Sequence, residues 1–180
     1  MDGDKIVCFG EVLWDVFQFE KKLGGAPYNV ANSLKRLGAD VNLISRIGND
    51  QLGKEILEKL HLNNIDSHSI QIDKNYKTGI VKVNLENDGN AQYEIAKEVA
   101  WDFIEILNRD IEMVSNSKAL IFGSLASRAS SYIALKKYLY VSKFCVFDLN
   151  LRAPFYSFSK LKELMKYSDM LKFNHKELYE

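Results

Sequence analysis

The sequence predicts an α/β fold in which a mainly parallel central sheet lies between two layers of helices, together with a small separate β-sheet. Short apolar runs rich in β-branched residues alternate with segments of helical periodicity along most of the chain, which is typical of such a sheet. Residues 67–96 instead alternate apolar and polar side chains, as strands with one solvated face do. With 180 residues, 47% of them apolar and 27% charged, the chain suits one ordered domain.

The first elements follow from local pattern. Residues 5–10 form a short apolar run that ends at a glycine, as a buried parallel strand does where it meets a loop. Residues 27–37 have helical spacing, with Pro27 at the first helical position and Gly38 just past the end. The pattern then predicts a strand at 40–47 and a helix at 51–60.

The segment 67–96 contains the runs SHSIQI, TGIVKVNLE and AQYEI, with NDGN at 87–90 between the last two. This is the signal of a β-hairpin, and we predict that these strands, with residues 15–23, form a small sheet that projects as a lid. Beyond it the α/β pattern returns, and the predicted elements are a helix from about Trp101, a strand at 118–124, a helix at 130–140, a strand at 144–150, a helix at 159–167 and a strand at 170–174.

Charge and cysteine usage argue against several classes of protein. Lys plus Arg and Asp plus Glu number 24 each, so no excess positive charge is available for phosphate backbones and we expect no nucleic-acid partner. No apolar run is long enough to span a bilayer or to form a signal-peptide core, so we expect no membrane partner. Cys8 and Cys145 lie in apolar runs without metal-ligand spacing, which favours a cytoplasmic location.

The most informative stretch is residues 24–48, GGAPYNVANSLKRLGADVNLISRIG. Gly24 and Gly25 stand before a helix and would let the backbone approach a ligand closely. Asn29, in the first turn of that helix, can present its amide to sugar hydroxyls. On spacing alone, a plain turn followed by a tolerated helix residue explains the pattern at least as well.

The spacing of these glycines and Asn29, followed by Gly38 and Gly48, resembles the first signature of the PfkB carbohydrate kinases. The similarity extends over essentially the whole chain, through GEVLWD at 10–15, NDQLGKEIL at 49–57, GSLA at 123–126, DLNLR at 148–152 and NHKE at 174–177. The resemblance implies a ribokinase-like three-layer sandwich with a lid, of which residues 1–180 form a part. It also implies ATP-dependent phosphorylation of a small sugar, with fructose as the first candidate.

Within this resemblance, Asp15, Gly24, Gly25 and Asn29 form the sugar-binding set. A carboxylate at position 15 could accept hydrogen bonds from two neighbouring hydroxyls, and such bonds are stronger than those to a neutral acceptor. Tyr93, on the second strand of the predicted hairpin, would lie over the sugar when the lid closes. An ordinary cross-strand aromatic residue is an equally good interpretation of Tyr93.

Three residues of the later strands complete the predicted site. Arg152 faces the substrate pocket if the resemblance holds, and an ion pair with Asp148 is the alternative. Asn174 and Glu177 match the family's Asn-x-x-Glu motif, which implies a nucleotide-side role for Asn174 and a water-mediated contact from Glu177 to Mg²⁺. The same spacing is a helix capping box, and both interpretations can hold together.

The family's Gly-Ala-Gly-Asp-type segment, which supplies the anion hole and the catalytic base, does not occur in this sequence. We therefore expect the base beyond Glu180, and we expect this chain alone to bind sugar weakly and not to turn over. The parent enzyme would use ATP and Mg²⁺. Because the lid of family members also makes dimer contacts, the resemblance implies a homodimer through the lid.

Two alternatives compete with a sugar kinase. A dinucleotide-binding oxidoreductase fits the alternation of strands and helices but lacks G-x-G-x-x-G after the first strand, where GEVLWD stands. The second is a non-catalytic sugar-binding protein on a kinase-derived fold. Only the segment downstream of residue 180 would separate this protein from a truncated enzyme.

Overall fold

The computed structural model describes residues 4–85 and 91–179, and this part of the chain forms ten strands and five α-helices. The strands are β1 (Ile6–Phe9), β2 (Leu13–Val16), β3 (Lys21–Gly24), β4 (Val41–Gly48), β5 (Ile70–Asp73), β6 (Ile80–Leu85), β7 (Ala91–Ile95), β8 (Ala119–Gly123), β9 (Cys145–Asp148) and β10 (Met170–Lys172). The helices are α1 (Ala26–Arg36), α2 (Gln51–Leu62), α3 (Asn108–Asn116), α4 (Ser131–Val141) and α5 (Phe158–Met165). Strands and helices thus alternate, as the sequence pattern predicts.

The strands form two sheets. Six of them make a central sheet in the order β10-β9-β8-β1-β4-β5, and every pairing in it is parallel. The other four make a small sheet in the order β3-β2-β6-β7, in which only the β2–β6 pairing is parallel. The chain starts in the middle of the central sheet, runs outward to β4 and β5, and then continues on the other side of β1.

Helices cover the central sheet from both sides. On one side α1 and α2 pack over a core that contains Cys8, Leu43 and Ile47. On the other side α3, α4 and α5 pack over a core that contains Val7 and Phe9. Alternate residues of β1 therefore belong to different cores, because successive side chains of a strand point to opposite faces. The predicted three-layer arrangement is confirmed.

The helices next to the small sheet begin and end at residues that the sequence marks. Helix α1 has Pro27 in its first turn and is followed by Gly38 at φ 87°, a backbone conformation that favours glycine. At the start of α2, the Asp50 carboxylate accepts a hydrogen bond from Gly53 N at 2.8 Å. The same carboxylate accepts from Thr78 N and Thr78 Oγ1, so the start of α2 is tied to the segment that leads into β6.

Two predictions about individual elements are wrong. The run at 70–73 is not a strand of the small sheet, because β5 pairs with β4 at the edge of the central sheet, with Ser45 opposite Ile70. An edge strand with one covered face alternates in the same way as a lid strand, so local pattern does not separate the two. At Trp101 there is only a 3₁₀ turn, Ala100–Phe103, and the helix begins at Asn108. The predicted turn at 87–90 lies outside the described residues.

The small sheet has a core of its own. Val81, Val83 and Ile95 from its strands pack with Trp101 and with Leu125, which follows β8. This contact places the small sheet over the carboxyl ends of the central strands. Within the described ranges, no helix is long and apolar enough to cross a membrane.

Candidate functional site

A cleft of about 590 Å³ lies between the small sheet, helix α1 and the carboxyl ends of the central strands. The small sheet contributes Leu13, Asp15, Val81, Tyr93 and Ile95. Helix α1 and the turn before it contribute Gly25, Ala26, Asn29, Val30, Ser33 and Leu34. The ends of the central strands contribute Glu11, Leu125, Asp148, Asn150, Arg152 and Lys172.

The position of the cleft follows from the order of the strands. The strands that come after β1 in the chain lie on both sides of it, so their connections diverge at its carboxyl end. In open parallel sheets, ligands bind at the carboxyl ends of the strands where connections diverge in this way. The cleft is therefore where this topology places a ligand site.

The turn at Gly25 brings the start of α1 against the end of β1. Gly25 has φ 106°, and a Cβ atom added to it would lie 2.4 Å from the backbone oxygen of Glu11. Only glycine fits this position, for both reasons. Asn29 N donates to Gly25 O at 2.9 Å, and the Asn29 side chain is exposed on the first turn of the helix.

Gly24 and Asp15 depend on one another. Gly24 pairs with Leu13 in the β2–β3 hairpin, and a Cβ atom at position 24 would lie 2.1 Å from Asp15 Oδ2. Gly24 thus leaves the room that the Asp15 carboxylate occupies, although Gly24 itself does not line the cleft. Burial raises the pKa of Asp15 above its usual range, and the nearby Arg152 opposes that shift.

Arg152 links the central sheet to the small sheet. Its guanidinium carbon lies 5.3 Å from the centre of the Tyr93 ring, within the range of a cation–π contact. Asp148 pairs with Lys172, whose Nζ donates to both carboxylate oxygens at 2.9 Å, and no ion pair between Asp148 and Arg152 occurs among the described residues. The alternative of an Asp148–Arg152 ion pair is therefore wrong, and Arg152 lines the cleft instead.

The predicted nucleotide-side residues lie outside this cleft. Asn174 Oδ1 accepts from Glu177 N at 3.0 Å, and Glu177 Oε2 accepts from Asn174 N at 2.8 Å, which is a capping box. Glu177 Oε1 also accepts from Leu151 N at 2.7 Å. The motif thus holds the loop next to Arg152, and its nucleotide and magnesium roles stay predictions.

The described residues do not by themselves make a metal site. No group of three or more His, Cys, Asp or Glu side chains in 4–85 and 91–179 is placed to hold an ion. Glu177 is a single carboxylate whose two oxygens already accept backbone N–H groups. It fits a hydrated Mg²⁺ only as a distant partner through water.

Glu11 is the most deeply buried of the polar cleft residues that sequence reasoning missed, and the others are Ser33, Asn150 and Lys172. Glu11 is 1% exposed, and burial raises the pKa of its carboxyl to about 7 against the opposing effects of backbone hydrogen bonds, Arg128 and Arg152. Its Oε1 accepts from Ala26 N at 3.1 Å, and its Oε2 has no hydrogen-bond partner among the described residues. In the sequence Glu11 is an acidic residue inside the apolar run GEVLW, which belongs to a segment of the family resemblance, and no local pattern marks it as a site residue.

Comparison with known proteins agrees with this geometry. The family model for pfkB family carbohydrate kinases matches residues 2–180. The "Probable fructokinase-7" of Arabidopsis thaliana is 28% identical to the chain over 96% of the chain and 57% of its own length. A protein of Pyrococcus horikoshii with the name "Putative sugar kinase" is 34% identical over 92% of the chain and 56% of its own length. The chain thus spans little more than half the length of these relatives.

Solved structures show the same fold. A crystal structure of an uncharacterised sugar kinase from Pyrococcus horikoshii superimposes with a TM-score of 0.85 at 30% identity, over 97% of this chain and 64% of that one. A second structure of that kinase, in complex with ATP, gives a TM-score of 0.84 at 30% identity, over 97% of this chain and 65% of that one. The family match covers nearly every residue, and the chain therefore belongs to the pfkB family of carbohydrate kinases.

Proposed function

We propose that the protein uses ATP to phosphorylate a hydroxyl group of a small sugar, and that residues 1–180 supply the sugar-binding part of that enzyme. The observation that carries this proposal is the cleft, in which Asp15, Asn29 and Arg152 converge from three different parts of the fold. Membership of the carbohydrate kinase family supports the reaction class.

The chemistry of the cleft suits a molecule with several hydroxyl groups. Asp15 supplies carboxylate oxygens that accept from hydroxyls, and the Asn29 amide both donates and accepts. Arg152 adds fixed donors, and the half-exposed Tyr93 ring on the small sheet offers a flat apolar face. We assign sugar binding to these four residues, with Gly25 shaping the turn and Gly24 making room for Asp15.

ATP is the proposed phosphoryl donor, with Mg²⁺ as its counter-ion. The structure of the Pyrococcus horikoshii relative, at 30% identity, was determined in complex with ATP, which supports this assignment. Phosphoryl transfer requires positive charge around the transferred group, and Mg²⁺ on the phosphates supplies it. In this proposal Asn174 lies on the nucleotide side and Glu177 contacts Mg²⁺ through water.

Fructose is the first substrate to test, because a curated relative that matches 96% of the chain has a fructokinase name. We also propose that the 180-residue chain does not turn over alone, since no Gly-Ala-Gly-Asp-type segment occurs in it and the relatives are nearly twice as long. The base that takes the proton from the attacking hydroxyl would then lie beyond Glu180.

An ADP-release assay with ATP, Mg²⁺ and a panel of hexoses and pentoses tests this proposal. It compares the 180-residue chain with a chain that continues through the whole open reading frame. We expect turnover only by the longer chain, with fructose giving the highest kcat/KM. Turnover by the 180-residue chain would place the base within it. Inactivity of both chains, with sugar binding retained, would favour the non-catalytic sugar-binding alternative.

A cytoplasmic location and a homodimer through the small sheet complete the proposal. The two cysteines are buried free thiols, which is compatible with a reducing compartment. Phe19 projects into solvent between β2 and β3 and offers an apolar contact for a second copy. Sedimentation velocity tests the dimer, and a Phe19→Ser chain that associates as strongly as the wild type would exclude this surface.

A further inference from the structure

Glu11 lies where β1 ends and α1 begins. The first residues of a helix have backbone N–H groups without partners in the helix, and a capping side chain normally serves them. Here the capping residue is Gly25, which has no side chain, and Pro27 has no N–H group. Glu11 supplies the missing acceptor from another element, since its Oε1 accepts from Ala26 N at 3.1 Å.

The packing around this hydrogen bond leaves no room for a side chain at Gly10 or Gly25. A Cβ atom at Gly25 would lie 2.4 Å from Glu11 O and 3.3 Å from Glu11 Cγ. A Cβ atom at Gly10 would lie 2.7 Å from Pro27 Cγ. Since the two elements touch at backbone distance, the position of the first turn of α1 follows the position of Glu11.

Two guanidinium groups face Glu11, and neither neutralises it through a hydrogen bond. Arg128, from the loop after β8, binds Asp102 and the carbonyl oxygen of Ala96. Arg152, from the loop after β9, lies against Tyr93. The other charged residues of the same cleft are Asp15, Asp148 and Lys172.

The Glu11 carboxyl group is therefore buried. Its Oε1 accepts from the first residue of α1, and its Oε2 has no hydrogen-bond partner among the described residues. The positive end of a helix favours a charged carboxylate, but burial has the larger effect and raises the pKa of Glu11 to about 7. The hydrogen bond from Ala26 N acts in the opposite direction and lowers the pKa, because it favours the charged carboxylate.

We propose that Glu11 is a positioning residue of the sugar site, which holds the Gly24–Gly25 turn and the first turn of α1 so that Asn29 is presented to the cleft. This inference rests on the proposed function, and it adds a residue that touches the turn but not the sugar. Removing the acceptor should therefore weaken sugar binding more than turnover.

The test uses the chain translated from the whole open reading frame, with three variants. Glu11→Gln keeps an acceptor for Ala26 N and carries no charge. Glu11→Leu keeps the approximate volume and removes the acceptor. Asp110→Asn is the matched control, because Asp110 is also a buried carboxyl with a raised pKa, bound to Ser69 and outside the cleft.

The kinetic measurement is sugar KM and kcat from pH 6 to 8. We expect Glu11→Leu to raise KM about tenfold and to change kcat less than about threefold, as loss of a positioning hydrogen bond does. Glu11→Gln should keep the wild-type KM, because its side-chain oxygen still accepts from Ala26 N. Asp110→Asn should leave KM unchanged at every pH. An unchanged KM in Glu11→Leu would overturn the inference.

Hydrogen exchange of the Ala26 amide gives a second measurement that needs no sugar. We expect exchange about tenfold faster in Glu11→Leu than in the wild type, and no change in Glu11→Gln. A wild-type chain that phosphorylates sugar, with the same Ala26 exchange in all variants, would refute the inference and leave the proposed function intact. A wild-type chain that phosphorylates no sugar, with Ala26 exchange as expected, would overturn the proposed function and leave only the tie to α1.

Discussion

The two lateral halves of the central sheet, one around β1 and β4 and the other around β10, differ in how completely their strands are buried. Strands β1 and β4 are buried along almost their whole length, because α1 and α2 cover one face and the other face packs in the core of α3 and α4. At the opposite edge, all three residues of β10 are exposed, although Met170 and Leu171 are apolar. An apolar groove of about 310 Å³ continues this surface between β10 and α5. We call these regions the covered side and the open side.

The comparison shows that strands of similar local sequence can differ in how much apolar surface they bury, and therefore in how much they stabilise the fold. Both sides consist of short apolar parallel strands followed by helices, and parallel strands are normally buried on both faces. On the open side the strand is present but much of its apolar surface stays in water, so it contributes less hydrophobic free energy. We infer that, among the described residues, the covered side contributes most of the stability, and that the open side leaves an apolar strand edge exposed in this 180-residue chain.

The largest expected effect contrasts one phenylalanine from each side. Phe9 is 0% exposed and packs against Tyr138, so Phe9→Ala should lower the free energy of unfolding by about 3–5 kcal/mol. Phe173 is 43% exposed, and Phe173→Ala should cost less than about 1 kcal/mol. Urea unfolding measures both. Equal losses in the free energy of unfolding would show that the covered and open sides contribute equally to stability, which would contradict the comparison.

Two glycines at the ends of α1 test how closely the covered side is packed. Gly25 and Gly38 both have positive φ, so alanine strains the backbone at either position. At Gly25 the new Cβ also overlaps Glu11 O, whereas at Gly38 it meets nothing within 4 Å. We expect Gly25→Ala to cost about 3 kcal/mol or more and Gly38→Ala about 1 kcal/mol. Thermal unfolding that ranks them equally would contradict close packing at the turn.

Burial of Glu11 should make stability depend on pH. The pKa rises from an ordinary 4.5 to about 7 in the folded chain, so the fold binds this proton more tightly than the unfolded chain does. The contribution of Glu11 to the free energy of unfolding is therefore fully present below about pH 4.5. It is lost as pH rises through 7, and the loss is at most about 3 kcal/mol. Glu11→Gln removes this dependence and should be the more stable chain at pH 8.

Urea unfolding of the wild type and Glu11→Gln at pH 5, 6, 7 and 8 measures this difference. The gap between the two chains should be small at pH 5 and widest at pH 8. A gap that is constant across the series would show that the Glu11 carboxyl is charged in the fold throughout.

The smallest effect on stability is expected on the open side, where the effect on association should be larger. Leu171→Lys places a charge on an edge strand, which blocks pairing with another chain. It should reduce concentration-dependent association of the 180-residue chain while changing the free energy of unfolding by less than about 0.5 kcal/mol. Ile72→Lys is the matched control, because Ile72 is also exposed but lies on β5 at the other edge. If sedimentation velocity shows equal association of the Leu171→Lys and Ile72→Lys chains, the β10 edge does not associate more strongly than the β5 edge.

Much of the fold could be predicted from the sequence because it depends on neighbours along the chain. The alternation of strands and helices, the start and end of α1, and the capping box of Asn174 and Glu177 all arise from residues a few positions apart. Gly25 and Gly38 of the glycine signature belong to the same class, since each has a positive φ, a backbone conformation that favours glycine. These features need no knowledge of what packs against them.

Contacts between distant residues could not be predicted in this way. The sheet that β5 joins, the choice of Lys172 as the partner of Asp148, and the contact of Arg152 with Tyr93 are all decided by which segments meet in space. The clearest case is Glu11, whose sequence context shows only an acidic residue in an apolar run. Its burial, its hydrogen bond to α1 and its raised pKa exist only in the assembled fold, because the cost of desolvating a charge depends on everything that surrounds it.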